Sequence, residues 1–241
     1  MNTRVVILAG GKGSRLKKVI EDQPKAMAVV AGKPFLEHQL LFFKAQGCRQ
    51  FLLCTGHLSR SIQDYFQNGR SWGIEIHYSV ENQALGTAGA LALAKDQIGD
   101  FPVIVANGDT LLDGLDVQSF LDFHKKKLRE SRAAGTVATV KVENSASYGL
   151  IQIDAKTACI QKFMEKNINR AGGYVSAGIY ILEREVLESL PKKACSLERD
   201  IFPDLVGQKK LWAYENSGFF WDIGTPESYQ TFKDYWERKL P

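Results

Sequence analysis

The apolar positions in the first half of the chain fall alternately into short continuous runs and longer amphipathic segments. The short segments predict strands at residues 4–8, 50–55, 74–79 and 101–106, and the β-branched run at 4–8 predicts a buried strand. The amphipathic segments predict helices at residues 34–46, 58–67 and 87–97. Strands that alternate with helices in this way predict a parallel sheet with helices on both faces. Right-handed crossovers would place the carboxyl ends of these strands along one edge, where such sheets bind ligands.

The second half of the chain is less regular. Its patterns predict strands at residues 134–142, 150–153, 160–165 and 174–182, and helices at residues 117–129, 198–205 and 226–239. No internal repeat, linker or low-complexity stretch divides it. We therefore expect an α/β fold, with a Rossmann-like, mixed but mostly parallel sheet flanked by helices, in one domain over residues 1–241.

Composition narrows the class of protein. Of the 241 residues, 44% are apolar and 24% charged, as in ordinary globular proteins, and the net charge of +4 is spread along the chain. The densest basic cluster, at residues 124–132, fits a solvated helix face better than a nucleic-acid site. Four cysteines lack metal-ligand spacing, and no apolar run is long enough for a signal peptide or a membrane helix. These features predict a cytoplasmic protein that binds neither nucleic acid nor membrane.

A glycine-rich segment, Leu8-Ala9-Gly10-Gly11-Lys12-Gly13-Ser14-Arg15-Leu16, directly follows the first predicted strand. Glycines there let the backbone turn sharply and approach a ligand, and consecutive N–H groups form an anion-binding nest. The Arg15 guanidinium would add a fork suited to phosphate oxygens. By itself the segment also fits a tight turn at a sheet edge.

Two common phosphate loops do not fit this segment. A P-loop requires Gly-Lys followed by Ser or Thr at its end, and the segment contains no such triplet. A Rossmann loop requires a third glycine where this chain has Leu16. The segment therefore predicts a polyphosphate site of another kind.

Two aspartates and a lysine complete the candidate chemistry. Asp109 ends Asn107-Gly108-Asp109 after a predicted strand, and Asp222 precedes Gly224 and the helix opening at Thr225-Pro226. Two carboxylates at one cleft would suit Mg²⁺, which takes oxygen ligands together with phosphates and water. Lys25 follows the glycine segment closely enough to fold back over the same ligand. Taken singly, the aspartates also fit turn or helix-end roles, and the lysine fits a surface position.

The order of these motifs resembles that of the sugar-nucleotide pyrophosphorylases, which transfer a nucleotidyl group from a nucleoside triphosphate to a sugar 1-phosphate. The matching motifs are Leu8–Leu16, Pro24–Met27, Gly32–Pro34, Leu85–Ala90, Asn107–Asp109, Tyr148-Gly149, Phe163–Lys166, Ser176–Tyr180 and Trp221–Pro226. One departure is Asn167, where the family often has proline; a lost turn residue leaves the expected activity unchanged.

The resemblance implies a role for each matching residue. Three residues would be catalytic. Arg15 would hold the triphosphate, Lys25 would neutralise charge on the α-phosphate, and Lys166 would orient the sugar phosphate. Asp109 and Asp222 would hold Mg²⁺. The implied nucleotide site consists of Leu8, Ala9, Gly10, Gly11, Gly13, Ser14, Glu81, Gly86 and Thr87. The implied sugar site consists of Asn107, Gly149, Glu165, Ser176 and Gly178. The implied reaction is an in-line displacement of pyrophosphate.

The base and the sugar are less constrained. An ionised Glu81 could accept from guanine N1–H and its amino group, or from N3–H of uracil or thymine, which argues only against cytosine. The residue 81–87 spacing and the ending Trp221–Tyr229 most resemble the heptose 1-phosphate guanylyltransferases, which make GDP-heptose for bacterial surface polysaccharide from GTP. Mannose-1-phosphate guanylyltransferases, N-acetylmuramate-1-phosphate uridylyltransferases and glucose-1-phosphate thymidylyl- or cytidylyltransferases remain alternatives.

A non-catalytic regulatory homologue is a further alternative. The joint presence of Arg15, Lys25, Asp109, Lys166 and Asp222 argues against it, because a binding module needs no pair of metal-ligating carboxylates. The sequence leaves the oligomeric state open, with a homo-oligomer among the states it allows.

Overall fold

The computed structural model describes residues 3–11, 13, 16, 20, 23–99, 101–144, 148–164 and 171–239. The strands are Val5–Ala9 (β1), Val29–Val30 (β2), Lys33–Pro34 (β3), Gln50–Thr55 (β4), Glu75–Val80 (β5), Val103–Asn107 (β6), Thr110–Asp113 (β7), Gly135–Asn144 (β8), Leu150–Ile153 (β9), Ile160–Met164 (β10), Ala171–Leu182 (β11), Leu211–Asn216 (β12) and Phe219–Asp222 (β13). The α-helices are Phe35–Ala45 (α1), Ser59–Phe66 (α2), Gly86–Ile98 (α3), Val117–Ser131 (α4), Arg184–Ser189 (α5), Phe202–Gly207 (α6) and Pro226–Lys239 (α7). Short 3₁₀ helices span Lys25–Met27 and Arg70–Trp72, and a π-helical turn spans Leu197–Ile201.

One mixed sheet organises the described residues. Its strand order is β10-β9-β11-β6-β1-β4-β5, and β8 pairs with both β11 and β12. The strands β6, β1, β4 and β5 are parallel, as the alternating pattern of the first half predicts. The strand β11 joins them antiparallel to β6, and β8, β9 and β10 extend the antiparallel part. The predicted mixed sheet flanked by helices is confirmed.

Both faces of β1, β4 and β6 are covered, which explains their continuous apolar runs, whereas the edge strand β5 has several exposed positions. Along β1, Val5 and Ile7 face the core beneath α1, α2 and α4, whereas Val6 faces the core beneath α3, α5 and α6. In a third, smaller core, side chains of α7 pack against Leu111 of β7 and against Ile223, which follows β13.

Several elements lie outside the sequence-based prediction. These are the short hairpin β2–β3, the strands β7, β12 and β13, and the helix α5. The predicted helix at 198–205 begins instead as a π-helical turn and becomes α-helical only at Phe202. Strands as short as β7 and β13 carry too few residues for a recognisable period, although they matter for the site.

The other expectations concern cysteines and membranes. Cys48, Cys54, Cys159 and Cys195 are all free thiols. Within the described ranges, no helix combines the length and the apolar character needed to cross a membrane.

Candidate active site

The glycine segment and the Asn107–Asp109 turn meet at one edge of the sheet. The strands β1 and β6 are parallel neighbours, so the residues that follow each strand emerge side by side. The Gly108 N–H donates to the Leu8 carbonyl over 2.9 Å. A Cβ added at Gly108 would lie 3.0 Å from that same oxygen, so the close approach favours glycine here.

The two aspartates are brought together by the small sheet of β7 and β13. In this antiparallel pair, Asp222 lies opposite Thr110, the residue that follows Asp109. The Ile223 N–H also donates to the Asp109 carbonyl over 3.0 Å. Two residues more than a hundred positions apart therefore share one site because of a strand pair that the sequence does not reveal.

Lys25 lies between these two carboxylates. Its Nζ is 2.6 Å from Asp109 Oδ2 and 3.6 Å from Asp222 Oδ1. The 3₁₀ helix that carries Lys25 also packs against Gly13, where an added Cβ would lie 3.0 Å from Lys25 Cβ. The chain does fold back from the glycine segment to the same site.

The residues present fit a divalent cation. An ammonium group already occupies the space between the Asp109 and Asp222 carboxylates, which are 37% and 27% exposed. Two carboxylates beside one lysine leave an excess of negative charge made of hard oxygen ligands, the kind that Mg²⁺ prefers. Within the described ranges, no cluster of three or more His, Cys, Asp or Glu could hold a metal by itself. Phosphate oxygens and water would therefore have to complete the coordination.

A pocket on one side of Asp109 collects the described residues of the predicted nucleotide site. It contains about 690 Å³ of empty space and is lined by Leu8, Gly10, Gly11, Glu81, Ala84, Gly86, Thr87, Ala90, Asn107 and Asp109. An adjoining pocket includes Ala9, Gly13 and Lys25. The geometry thus groups these predicted residues, and their roles stay predictions.

Glu81 follows β5 and lies against the turns after β1 and β4. It is only 9% exposed, and burial raises the pKa of its carboxyl group. Its Oε2 accepts from the Leu85 N–H over 3.2 Å. Added Cβ atoms would lie 2.6 Å from Glu81 Oε1 at Gly10 and 2.9 Å at Gly56. The absence of side chains on both glycines therefore makes room for this carboxylate.

The start of α3 carries the other two predicted nucleotide-binding residues. Gly86 has a φ of +70°, and an added Cβ would lie 2.5 Å from the Cys195 carbonyl. The same carbonyl accepts from the Ala88 N–H over 3.1 Å. The Thr87 hydroxyl accepts from the Leu197 N–H over 2.8 Å. These two hydrogen bonds hold the beginning of α3 against Cys195 and against the start of the π-helical turn at Leu197.

A larger pocket on the other side of Asp109 collects the described residues of the predicted sugar site. It contains about 1320 Å³ of empty space and is lined by Asn107, Asp109, Thr110, Tyr148, Gly149, Phe163, Met164, Ser176, Gly178, Glu198, Arg199, Pro203, Phe220 and Asp222. A register shift in β11 after Ser176 brings Gly178, at a φ of +68°, close to Asn107 and Thr110. Bulges of this kind often re-aim side chains at functional sites.

Tyr148 forms an aromatic wall of this larger pocket. Its ring packs edge to face on Phe220, with the ring centroids 5.4 Å apart. Burial, together with the negative charges of Asp222 and Asp109, raises the pKa of Tyr148 to about 12. Its phenol is therefore protonated and can donate a hydrogen bond at neutral pH.

Two polar residues near the site, Gln39 and Glu198, were missed from the sequence, and Tyr180 belongs to a matching motif but had no role of its own. Glu198 lines the larger pocket, and the hydroxyl of the buried Tyr180 donates to Glu198 Oε1 over 2.7 Å. Gln39, from α1, is 1% exposed and donates from Nε2 to the carbonyls of Asn107 and Thr110 over 2.9 and 2.8 Å. Gln39 lies within a pattern that predicts core positions, so only its polar group could have indicated another role.

Four predicted site residues fall outside the described part of the chain. These are Ser14, Arg15, Glu165 and Lys166. Their predicted roles in phosphate and sugar binding stay predictions from the sequence.

Comparisons with known proteins identify the family of this chain. The family model described as "Nucleotidyl transferase" matches residues 4–238. The chain is 34% identical over 232 residues to mannose-1-phosphate guanylyltransferase catalytic subunit beta of Drosophila melanogaster, covering 95% of this chain and 61% of that protein. It is 34% identical over 227 residues to mannose-1-phosphate guanylyltransferase of Mycobacterium tuberculosis, covering 93% and 62%. The chain thus spans less than two thirds of these relatives.

A solved structure is similar over its whole length. HddC from Yersinia pseudotuberculosis, in a complex with GMP-PN, superposes with a TM-score of 0.82 at 30% identity. The match covers 97% of this chain and 99% of that one.

Proposed function

Because this chain belongs to the nucleotidyl transferase family, we propose that it transfers a nucleotidyl group from a nucleoside triphosphate to a sugar 1-phosphate and releases pyrophosphate. More specifically, the substrates are GTP and D-glycero-α-D-manno-heptose 1-phosphate, and the product is GDP-heptose. Residues 1–241 act as one nucleotidyltransferase domain. The free thiols favour a cytoplasmic setting for this reaction.

The observation that carries this proposal is the position of Asp109. It lines the pocket with Glu81, the pocket with Lys25 and the pocket with Ser176. A nucleotide in the first pocket and a sugar in the third would therefore place their phosphates at the carboxylate that the two ligands share. Positioning of this kind accounts for most of the catalysis in phosphoryl-group transfer, where the protein needs to form few covalent bonds.

In the proposed mechanism, a sugar phosphate oxygen attacks the α-phosphorus in line with the departing pyrophosphate. Asp109 and Asp222 would hold Mg²⁺, which supplies charge neutralisation for the phosphates when it is bound. Lys25 lies close enough to both carboxylates to place its positive charge beside the same phosphates. Fixed charges in a preformed site stabilise a developing charge without reorganising during the reaction.

Guanine is supported by two kinds of similarity. The relatives named above are guanylyltransferases, and HddC is in a complex with GMP-PN, a guanine nucleotide. Glu81 lines the nucleotide-side pocket, where its carboxylate could accept from guanine N1–H and the 2-amino group. The choice of heptose 1-phosphate as the sugar substrate rests on the resemblance of the sequence motifs. Mannose 1-phosphate is the second candidate, because both relatives are named for it.

The test is pyrophosphate release by the purified protein with Mg²⁺, each of four nucleoside triphosphates and a panel of sugar 1-phosphates. The proposal predicts release with GTP, and fastest release with the heptose phosphate. Release with mannose 1-phosphate but not with the heptose would replace the sugar while keeping the base. Release with UTP alone would remove the guanylyltransferase assignment, and no release with any pair would remove the enzyme assignment.

A further inference from the structure

Glu198 is the acidic residue of the larger pocket that the proposed metal site does not use. Three described acidic residues line this pocket, Asp109, Asp222 and Glu198. Lys25 contacts both aspartates, within 2.6 and 3.6 Å, and its salt bridges do not include Glu198. The pocket therefore contains a carboxylate with a separate partner and no assigned role.

That separate partner is a buried tyrosine. Tyr180 is 1% exposed and packs edge to face on Phe202, and its hydroxyl donates to Glu198 Oε1 over 2.7 Å. Burial and the charge of Glu198 raise the pKa of Tyr180 well above its ordinary value. The Tyr180 phenol therefore stays protonated, and its hydrogen bond fixes the position of one oxygen of the Glu198 carboxylate.

Tyr180 is itself held by residues of the predicted sugar site. The Asn107 side chain hydrogen-bonds its hydroxyl, and Ser176 Oγ lies 3.5 Å from it. A chain of polar groups thus runs from the turn beside Asp109, through Tyr180, to Glu198. Such a network holds a side chain in one orientation before a ligand arrives.

The backbone at Glu198 is fixed as well. The preceding N–H, of Leu197, donates to the Thr87 hydroxyl over 2.8 Å. The turn also closes on itself, because Ser196 N–H donates to Asp200 Oδ2 over 2.6 Å. This is the π-helical turn, and π-helical turns occur frequently at functional sites.

We propose that Glu198 binds a ring hydroxyl of the sugar 1-phosphate, through the carboxylate oxygen that Tyr180 does not occupy. Tyr180 is a positioning residue that aims this carboxylate into the pocket. An ionised carboxylate only accepts hydrogen bonds, so its partner on the ligand is a hydroxyl group rather than the phosphate. This inference rests on the proposed function, since it names one contact made by the proposed substrate.

The experiment compares three variants with the wild type. Glu198→Gln keeps the shape of the side chain and removes its charge, and Tyr180→Phe removes only the hydroxyl. Glu185→Gln makes the same charge change at an exposed salt bridge with Lys210 and is the matched control. Thermal melting establishes that each variant folds, and initial rates give KM separately for GTP and for the sugar 1-phosphate that the wild type uses.

We expect Glu198→Gln to raise KM for the sugar phosphate about tenfold or more, the scale of a hydrogen bond to a charged group. In the same variant, KM for GTP stays within about twofold of the wild type. Tyr180→Phe also raises KM for the sugar phosphate, but by less than Glu198→Gln does. Glu185→Gln changes neither value. An unchanged sugar KM in Glu198→Gln, or an equal rise in both KM values, would overturn the inference.

Monodeoxy analogues of the same sugar phosphate identify the hydroxyl. With the analogue that lacks the bound hydroxyl, wild type and Glu198→Gln should have equal KM values, whereas every other analogue keeps the difference. If the difference persists with all analogues, Glu198 contacts no hydroxyl and the inference fails while the proposed function stands. If the wild type releases no pyrophosphate with any pair, the proposed function fails first and the inference fails with it.

Discussion

Gln39 connects the buried helix α1 to the turn that carries Asp109. Its Nε2 donates to carbonyls on both sides of that aspartate, Asn107 at 2.9 Å and Thr110 at 2.8 Å. We predict that Gln39→Leu, which fills a similar volume without donors, loosens this turn. The variant should then bind metal less tightly and turn over more slowly.

The expected loss of folding stability in Gln39→Leu follows from the hydrogen bonds that the variant lacks. The buried Thr110 carbonyl loses this donor, whereas the part-buried Asn107 carbonyl keeps the Thr110 hydroxyl as a donor at 3.3 Å. One unsatisfied buried group costs about 1–3 kcal/mol. Gln39 Oε1 is itself buried and without a hydrogen-bond partner in the described residues, so its removal returns part of this cost. A net loss of about 1 kcal/mol corresponds to a fall in Tm of roughly 2–4 °C for a chain of this size.

The assay is Mn²⁺ binding by calorimetry, followed by kcat and KM at a temperature well below Tm. Gln46→Leu is the control, because its Oε1 accepts from the Val117 N–H at 2.7 Å on the far end of α1. Both variants should melt earlier, but only Gln39→Leu should weaken Mn²⁺ binding and lower kcat. Equal Mn²⁺ affinity and kcat in Gln39→Leu and Gln46→Leu would refute the positioning role.

Three further predictions concern charge and backbone. Lys25→Met should raise Mn²⁺ affinity in the nucleotide-free protein while lowering turnover, because it removes a cation from between two carboxylates; weaker binding would contradict this. Burial raises the pKa of Glu81, so the stability it contributes is present at low pH and lost as pH rises through the folded value. Glu81→Gln should therefore raise Tm relative to wild type near pH 8 and not near pH 4; equal differences would contradict this. Gly178→Ala adds a Cβ 2.8 Å from Asn107 Nδ2 at positive φ, so it should lower Tm and raise the sugar KM, and an unchanged Tm would refute the strain.

Much of the parallel part of the fold could be predicted from the sequence. The predicted bounds of the strand Gln50–Thr55 agree with the structure at both ends, and the predicted bounds of β1 and β6 differ from it by at most two residues. Continuous apolar runs and helix-end residues are local features, so they can be recognised without knowing the fold. The edge at which the glycine segment meets the Asn107–Asp109 turn follows from those strands.

What could not be predicted depends on contacts between distant residues. The pairing of Thr110 with Asp222 joins strands of four residues, which are too short to show a period, and it brings the two aspartates together. The hydrogen bond from Tyr180 to Glu198 joins a residue with a core-like pattern to one in a predicted helix. Polar groups in such positions gain meaning only when their partners are known.

The account depends most directly on Asp109 and Asp222 as a joint metal site for nucleotidyl transfer. The decisive measurement is the initial rate of pyrophosphate release from GTP and the best sugar 1-phosphate, with Mg²⁺, for wild type, Asp109→Asn and Asp222→Asn. The account predicts that each variant folds but loses at least roughly a hundredfold in rate, the scale of one electrostatic group in a preorganised site. Full activity in a folded Asp109→Asn variant would contradict it.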